Sequence, residues 1–187
     1  MKDIQEELFG VPVWGVVMEQ EHYHVNDYKD FLYKLKDTQP NNAKSNFNGF
    51  QTHDMLHTEP VFQEFVPQIN NMGNKIVDLF KNRYDYKVAV DSMWGNINGY
   101  GGFNMAHIHS GDLSGVFYVQ VPEDCESGIV FVNPAQRSEA HRIRIPNNRV
   151  MPKSLACLFF PSWLEHYVEP NKSQEDRISI SFNISKV

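Results

Sequence analysis

Two histidines that are one residue apart stand just before an apolar segment. In the stretch NMAHIHSGDLSGVFYVQVP, His107 and His109 flank Ile108, and the apolar run begins at Leu113. Side chains at positions i and i+2 of an extended chain project from the same face. We therefore expect both imidazoles to point at one place. Because neutral imidazole is a common metal ligand, the spacing predicts part of a metal site.

A third imidazole follows another apolar segment. The stretch LACLFFPSWLEHYVEP is typical of a buried strand and a proline-containing turn, after which comes His166. The mouths of β-barrels, just past strand ends, are where ligand-binding residues gather. His107, His109 and His166 are therefore the predicted metal ligands and catalytic centre. The other histidines are interpreted as surface or capping residues: His22, His24, His53, His57 and His141.

The segment RISISFNIS, which begins at Arg177, alternates strictly between apolar and polar residues. One face would carry Ile178, Ile180, Phe182 and Ile184, and the other Arg177, Ser179, Ser181 and Asn183. The polar face would meet water in an open sheet, whereas in a barrel it would line the lumen. An inward-facing arginine would suit a carboxylate, because its planar guanidinium binds both oxygens and stays charged.

The elements that must position these side chains change in character along the chain. NDYKDFLYKLKD predicts a helix capped by Asn26, and PVFQEFVPQINNMGNKIVDLFKNRY predicts a second helix, which Pro67 or Gly73 would bend or end. From Lys87 onward the chain consists of short β-type runs, namely KVAVDSMW, LSGVFYVQV, GIVFV, HRIRI, SLACLFF and RISISFNIS.

This order predicts an α+β fold that is mainly β. The expected architecture is a jelly roll or double-stranded β-helix backed by N-terminal helices. We expect residues 1–187 to form one domain, with a helical layer over 1–86 and a β-helix core that holds the metal site over 87–187.

Composition excludes several classes of partner. The net charge is −6 and there is no basic stripe, so no nucleic-acid partner is expected. No apolar run approaches the roughly 20 residues of a membrane helix, so no membrane partner is expected either. Cys125 and Cys157 match no zinc spacing and are interpreted as buried free thiols. Trp94 and Trp163 are expected to pack in the core.

Four motifs in a fixed order resemble those of a known enzyme family. They are HIH (107–109), LSGVFY (113–118), FPSWLEH (160–166) and RISISFN (177–183). Two N-terminal stretches, LFGVPVW and SNFNGFQTHDML, are similar as well, so the resemblance covers nearly the whole chain. The family consists of 2-oxoglutarate- and Fe(II)-dependent oxygenases of bacteria and tailed phages, within the prolyl-hydroxylase-like double-stranded β-helix superfamily.

The resemblance implies both chemistry and residue roles. Such enzymes use Fe(II), 2-oxoglutarate and O2 to oxidise a protein side chain or a small molecule, usually by hydroxylation, and they release succinate and CO2. His107 would be the first iron ligand and His166 the distal one. The cosubstrate would be bound by Arg177, Ser179, Tyr118 and Ser114. The N-terminal stretch MKDIQEELFG is charged and lacks a signal-peptide core, so we expect a cytoplasmic protein, in the host cytoplasm if it is phage-encoded. Jelly-roll oxygenases often pair through their helical layer, so a homodimer is one expected state.

The sequence departs from the superfamily where the third ligand is expected. Related enzymes have a carboxylate at the position of His109. His109 could complete a three-histidine site, Asp112 could bend back to supply the oxygen, or two protein ligands could act with an extra water. Two other functions also stay open: a cupin-like dioxygenase or isomerase without 2-oxoglutarate, and a non-catalytic jelly-roll binding protein.

Overall fold

The structure is a computed structural model that describes residues 2–8, 10–18, 24–80, 85–134 and 147–187. These residues form two α-helices, α1 (Val25–Thr38) and α2 (Phe65–Asp78). Their strands are β1 (Lys2–Leu8), β2 (Val11–Val17), β3 (Asn46–Phe47), β4 (Phe50–Gln51), β5 (Val88–Asn98), β6 (Phe103–His107), β7 (Leu113–Gln120), β8 (Ile129–Phe131), β9 (Asn148–Val150), β10 (Ala156–Pro161), β11 (His166–Val168) and β12 (Arg177–Lys186). No described helix is both long and apolar enough to cross a membrane.

The described strands form two antiparallel sheets. The larger sheet has seven strands in the order β1-β2-β10-β7-β12-β5-β4, and the smaller has five in the order β3-β6-β11-β8-β9. Strands that are neighbours in a sheet are mostly distant in sequence, as in a double-stranded β-helix. The predicted fold class, mainly β with helices backing the barrel, is confirmed.

An apolar core fills the space between the larger sheet and the helices. The apolar face of β12 lies in this core with the buried faces of α1 and α2. Helix α1 approaches β5 closely at Gly95, where a Cβ atom would lie 2.2 Å from Leu32 Cδ2. Glycine at this position therefore allows α1 to lie directly on the sheet.

A second apolar cluster lies between the two sheets. Its buried members are Val13, Val116, Tyr118, Ile129, Phe131, Leu158, Phe160 and Leu164. On this side of the larger sheet β12 presents polar residues, and Arg177, Ser179 and Ser181 line a cavity. The interpretation of the polar face as a barrel lumen is therefore confirmed for these residues.

The predicted helical layer over residues 1–86 is helical only in part. Strands β1, β2 and β4 belong to the larger sheet and β3 to the smaller one. The short segments were missed because two-residue strands such as β3 and β4 carry no periodic pattern. The prediction that Asn26 caps α1 was wrong, since the helix begins at Val25 and His24 occupies the cap position. Helix α2 continues through Gly73. The predicted strand HRIRI, His22 and His141 lie outside the described residues.

Candidate active site

Two strands of the smaller sheet bring His107 and His166 together. Strand β6 pairs antiparallel with β11, and in this register His107 lies directly opposite His166. His109 follows two residues after the end of β6, where its backbone N–H donates to the carbonyl of Ser162 at 2.9 Å. Ile108 between them is 60% exposed, so His107 and His109 share the inward face, as the i, i+2 spacing predicts.

The three imidazoles converge closely enough to hold one ion. Their potential ligand atoms all lie within 4.8 Å of one another. Nε2 of His109 is 3.3 Å from Nε2 of His166. Two nitrogen ligands of one metal, with bonds of about 2.1 Å, are at most about 4 Å apart. Small side-chain movements would therefore bring all three rings onto a shared ion.

Main-chain carbonyls determine the tautomers of two of these rings. Nδ1 of His107 lies 2.6 Å from the carbonyl oxygen of Met105. Nδ1 of His166 lies 2.8 Å from that of Leu164. A carbonyl oxygen only accepts, so each Nδ1 carries the hydrogen and each Nε2 keeps its lone pair for a metal.

Burial keeps all three imidazoles neutral at physiological pH. Desolvation, together with the proximity of His107, lowers the pKa of His109 to about 4 and that of His166 to about 3. Burial also lowers the pKa of His107. Because the neutral form is the one that ligates metals, no proton has to leave before an ion binds.

Asp112, the alternative third ligand, is directed elsewhere. One carboxylate oxygen accepts a hydrogen bond from the backbone N–H of Lys186 at 2.9 Å. The other accepts from the hydroxyl of Tyr86 at 3.4 Å. Within the described part of the chain, the group of histidine, cysteine or acidic residues close enough to share an ion consists of His107, His109 and His166. The geometry therefore favours the three-histidine alternative.

The imidazoles and the candidate cosubstrate residues line the same inner cavity. Its walls include Tyr118, Arg177 and Ser179 together with all three histidines. A second, outer cavity shares His107, His109 and Trp94 with the inner one and is lined by residues from four segments of the chain: Lys44, Gln51, Asp54, Ser92, Met105, Ile108 and Asn183. The two cavities thus adjoin at His107, His109 and Trp94.

Arg177 is a buried cation whose acceptors are neutral. It is only 2% exposed. Its Nη1 donates to Oγ of Ser127 and to the carbonyl oxygen of Glu169, the latter at 3.4 Å. The Glu169 carboxylate accepts instead from Nε of Arg149 at 2.5 Å and from the N–H of Gly128 at 2.9 Å. No described carboxylate forms an ion pair with Arg177. The Glu169 charge acts on Arg177 without direct contact. A buried charge without a direct ion-pair partner is unfavourable, so this cavity favours an anion.

The other predicted cosubstrate residues differ in position. Tyr118 is buried, and desolvation raises the pKa of its phenol, which stays protonated. Ser179 lines the inner cavity beside it. Ser114 lines neither cavity, because its hydroxyl bonds to Oγ of Ser162 at 2.8 Å and to Oδ1 of Asn183 at 2.9 Å. The geometry therefore does not support the predicted role of Ser114.

Sequence reasoning missed several residues of the site. Trp94 lines both cavities, and its ring centroid lies 5.4 Å from that of His109. Trp94 and Asn96 are two residues apart, a spacing that places both side chains on the same face of β5 and that could have indicated their position in the cavity. Trp163 is 54% exposed, so the prediction that it packs in the core was wrong. Ser127, in the loop before β8, has no distinguishing sequence pattern.

The sequence matches a family model that covers the site. Residues 92–183 match the model described as "Putative 2OG-Fe(II) oxygenase". This stretch runs from β5 to β12 and contains the three imidazoles and Arg177. A comparison with curated proteins gives no match.

Solved structures of 2-oxoglutarate-dependent enzymes share the fold. The epimerase SnoN in complex with Fe3+, alpha ketoglutarate and nogalamycin RO is 11% identical, with a TM-score of 0.73 over 92% of this chain and 78% of that one. A prolyl-4-hydroxylase of Pseudomonas putida is 11% identical, with a TM-score of 0.63 over 91% of each chain.

A viral collagen prolyl hydroxylase from Paramecium Bursaria Chlorella virus-1, in its 2OG complex, is also similar. It is 15% identical, with a TM-score of 0.61 over 92% of this chain and 94% of that one. At these identities the likeness supports the fold, and the family match supports the chemistry. Residues 92–183 therefore match the 2OG-Fe(II) oxygenase family, and this match indicates an enzyme of that class.

Proposed function

We propose that this chain binds Fe(II) through Nε2 of His107, His109 and His166 and binds 2-oxoglutarate in the inner cavity against Arg177. Its activity is the oxidation of a substrate, by hydroxylation, with release of succinate and CO2. The observation that carries the proposal is the buried Arg177 guanidinium, which has no described carboxylate partner and lies in the same cavity as three neutral imidazoles.

The donor set is suited to this metal. Imidazole nitrogen is a good ligand for Fe(II), and the tautomers of His107 and His166 leave Nε2 available. When bound, the iron supplies the activation of O2, which no protein side chain can provide. The three ligands carry no charge, so the ion's positive charge is left to be balanced by an anionic cosubstrate.

The residues of the chain bind, orient and exclude water. Arg177 offers a planar set of N–H donors to the far carboxylate of the diacid. Tyr118, whose phenol stays protonated, donates its O–H within the same cavity. Val116, Ile129 and Phe160 complete the walls and limit the access of water to the reacting groups.

The outer cavity is the proposed place for the substrate. It shares His107 and His109 with the inner cavity and combines polar walls such as Gln51 with apolar ones such as Ile108. Among the similar structures, SnoN is an epimerase that binds nogalamycin RO and another is a prolyl-4-hydroxylase. A protein side chain or a small molecule is accordingly the proposed substrate. The predicted cytoplasmic location and homodimer remain predictions.

Spectroscopy on the anaerobic protein tests the proposal. Fe(II) and 2-oxoglutarate together should produce a weak visible charge-transfer band, because the 2-oxo acid chelates the ion. Arg177→Ala should shift the 2-oxoglutarate concentration that is needed for the band to much higher values. Lys36→Ala, which removes a half-exposed cation on α1, is the control and should leave the titration unchanged. The absence of a band in the unmodified protein, or an identical titration in Arg177→Ala, would contradict the proposal.

A further inference from the structure

Two neutral oxygen acceptors bind the guanidinium of Arg177. The hydroxyl of Ser127 and the carbonyl of Glu169 both accept from Nη1. The buried thiol of Cys125 also lies near the guanidinium. Within the described part of the chain, the oxygen acceptors therefore use one nitrogen of the guanidinium. Nε and Nη2 remain for a carboxylate in the cavity.

The hydrogen of the Ser127 hydroxyl is already committed. Ser127 Oγ donates to the carbonyl oxygen of Glu169. A serine hydroxyl has one hydrogen and two lone pairs, so it meets Arg177 only as an acceptor. Ser127 is 0% exposed and is not among the residues that line the inner cavity. It can therefore influence a bound diacid only through Arg177.

Main-chain hydrogen bonds fix the position of Ser127. The N–H of Glu169 donates to the carbonyl of Gly128 at 3.0 Å, and the N–H of Lys172 donates to that of Cys125 at 3.1 Å. The N–H of Gly128 donates to the Glu169 carboxylate at 2.9 Å. These bonds join the segments 125–128 and 169–172 without help from a ligand, so the acceptor for Arg177 is in place before a diacid arrives.

We infer that Ser127 is a positioning residue that holds the Arg177 guanidinium in the orientation that receives the far carboxylate of the cosubstrate. This inference rests on the proposed function of Arg177. Preorganised donors bind more tightly because less conformational freedom is lost on binding. Ser127 thereby increases the preference of the enzyme for a 2-oxo diacid over a 2-oxo monoacid. The monoacid has no second carboxylate that could pair with Arg177.

Calorimetric titration of the anaerobic, Fe(II)-loaded protein tests this inference. The two probes are 2-oxoglutarate and 2-oxopentanoate, which has the same carbon chain but a methyl group in place of the far carboxylate. Ser127→Ala should raise the Kd of the diacid about tenfold and leave that of the monoacid unchanged. Ser173→Ala is the matched control, because Ser173 is equally buried but accepts from Glu175 rather than from Arg177.

A double-variant cycle isolates the path through Arg177. In an Arg177→Ala background, Ser127→Ala should have no further effect on the Kd of the diacid, because the group that it orients is gone. If Ser127→Ala does not fold, Ser127→Cys, which keeps a side chain of similar shape but is a weaker acceptor, should weaken diacid binding in the same direction.

The outcomes separate this inference from the proposed function. If the unmodified protein binds both probes equally, the role of Arg177 is wrong. If it prefers the diacid and Arg177→Ala abolishes that preference while Ser127→Ala retains it, only the inference about Ser127 is overturned. An equal loss of affinity for both probes in Ser127→Ala would indicate general structural damage and would also overturn it.

Discussion

The larger sheet separates two interiors that differ in chemistry. On the helix side, Ile178, Ile180 and Phe182 of β12 pack in an apolar core with α1 and α2. On the other side, Arg177 and Ser179 of the same strand line the cavity with the imidazoles. Adjacent residues of β12 thus have different roles, in the apolar core or in the cavity. Stability should therefore depend on one face of β12 and ligand binding on the other.

Removing a proposed metal ligand should give the largest effect on function. His166→Ala should reduce 2-oxoglutarate-dependent succinate formation to the level of a protein-free control, because the metal site loses the ring that lies opposite His107. The far-UV circular dichroism spectrum should be unchanged. His24→Ala, which alters an exposed histidine, is the control and should keep full turnover. Undiminished succinate formation in His166→Ala would contradict the assignment of the metal site to this cavity.

Truncation on the helix side should affect stability instead. Ile180 is 0% exposed, so Ile180→Ala should lower the free energy of unfolding by about 2–5 kcal/mol. Denaturant titration measures this change, while the Kd of 2-oxoglutarate should stay the same in the folded protein. Ser181→Ala, one residue along on the cavity face, should cost less stability. The contrast between the faces fails if the two variants lose equal stability.

The stability of the metal-free protein should also depend on pH. The pKa of an unfolded histidine is 6.5, whereas in the folded protein that of His109 is about 4 and that of His166 about 3. Between these values the unfolded chain binds more protons than the folded one. The contribution of these residues to stability is therefore complete above pH 6.5 and is lost as the pH falls toward 4 and below.

Urea titrations at pH 7.5 and pH 5 would measure this loss of stability. The two pH values lie about one unit or more on either side of the pKa of an unfolded histidine. Other groups also titrate in this window, so the reference is the double variant His109→Gln/His166→Gln, in which the loss between the two pH values should be smaller. An equal loss in both proteins would show that the buried imidazoles do not cause it.

The sequence predicted the site better than it predicted the elements around the site. The alternation of RISISFNIS correctly assigned Arg177 and Ser179 to the cavity, because a strand with two buried faces preserves the period of two. Strand β11, only three residues long, lacked such a pattern and was not predicted. The partners of Ser127 and Asp112 depend on contacts between segments that are distant in sequence. Local patterns do not encode such contacts.

The close approach of Leu32 to Gly95 gives the helical layer a part in the active site, although no residue of α1 lines either described cavity. Trp94 and Asn96, the neighbours of Gly95, form part of the inner cavity wall. Any side chain added at residue 95 would clash with the buried Leu32 side chain, which would have to shift within the core. Helix α1 therefore supports the strand that carries Trp94 and Asn96. The volume of the inner cavity thus depends on the contact between Leu32 and Gly95, which lies outside the cavity.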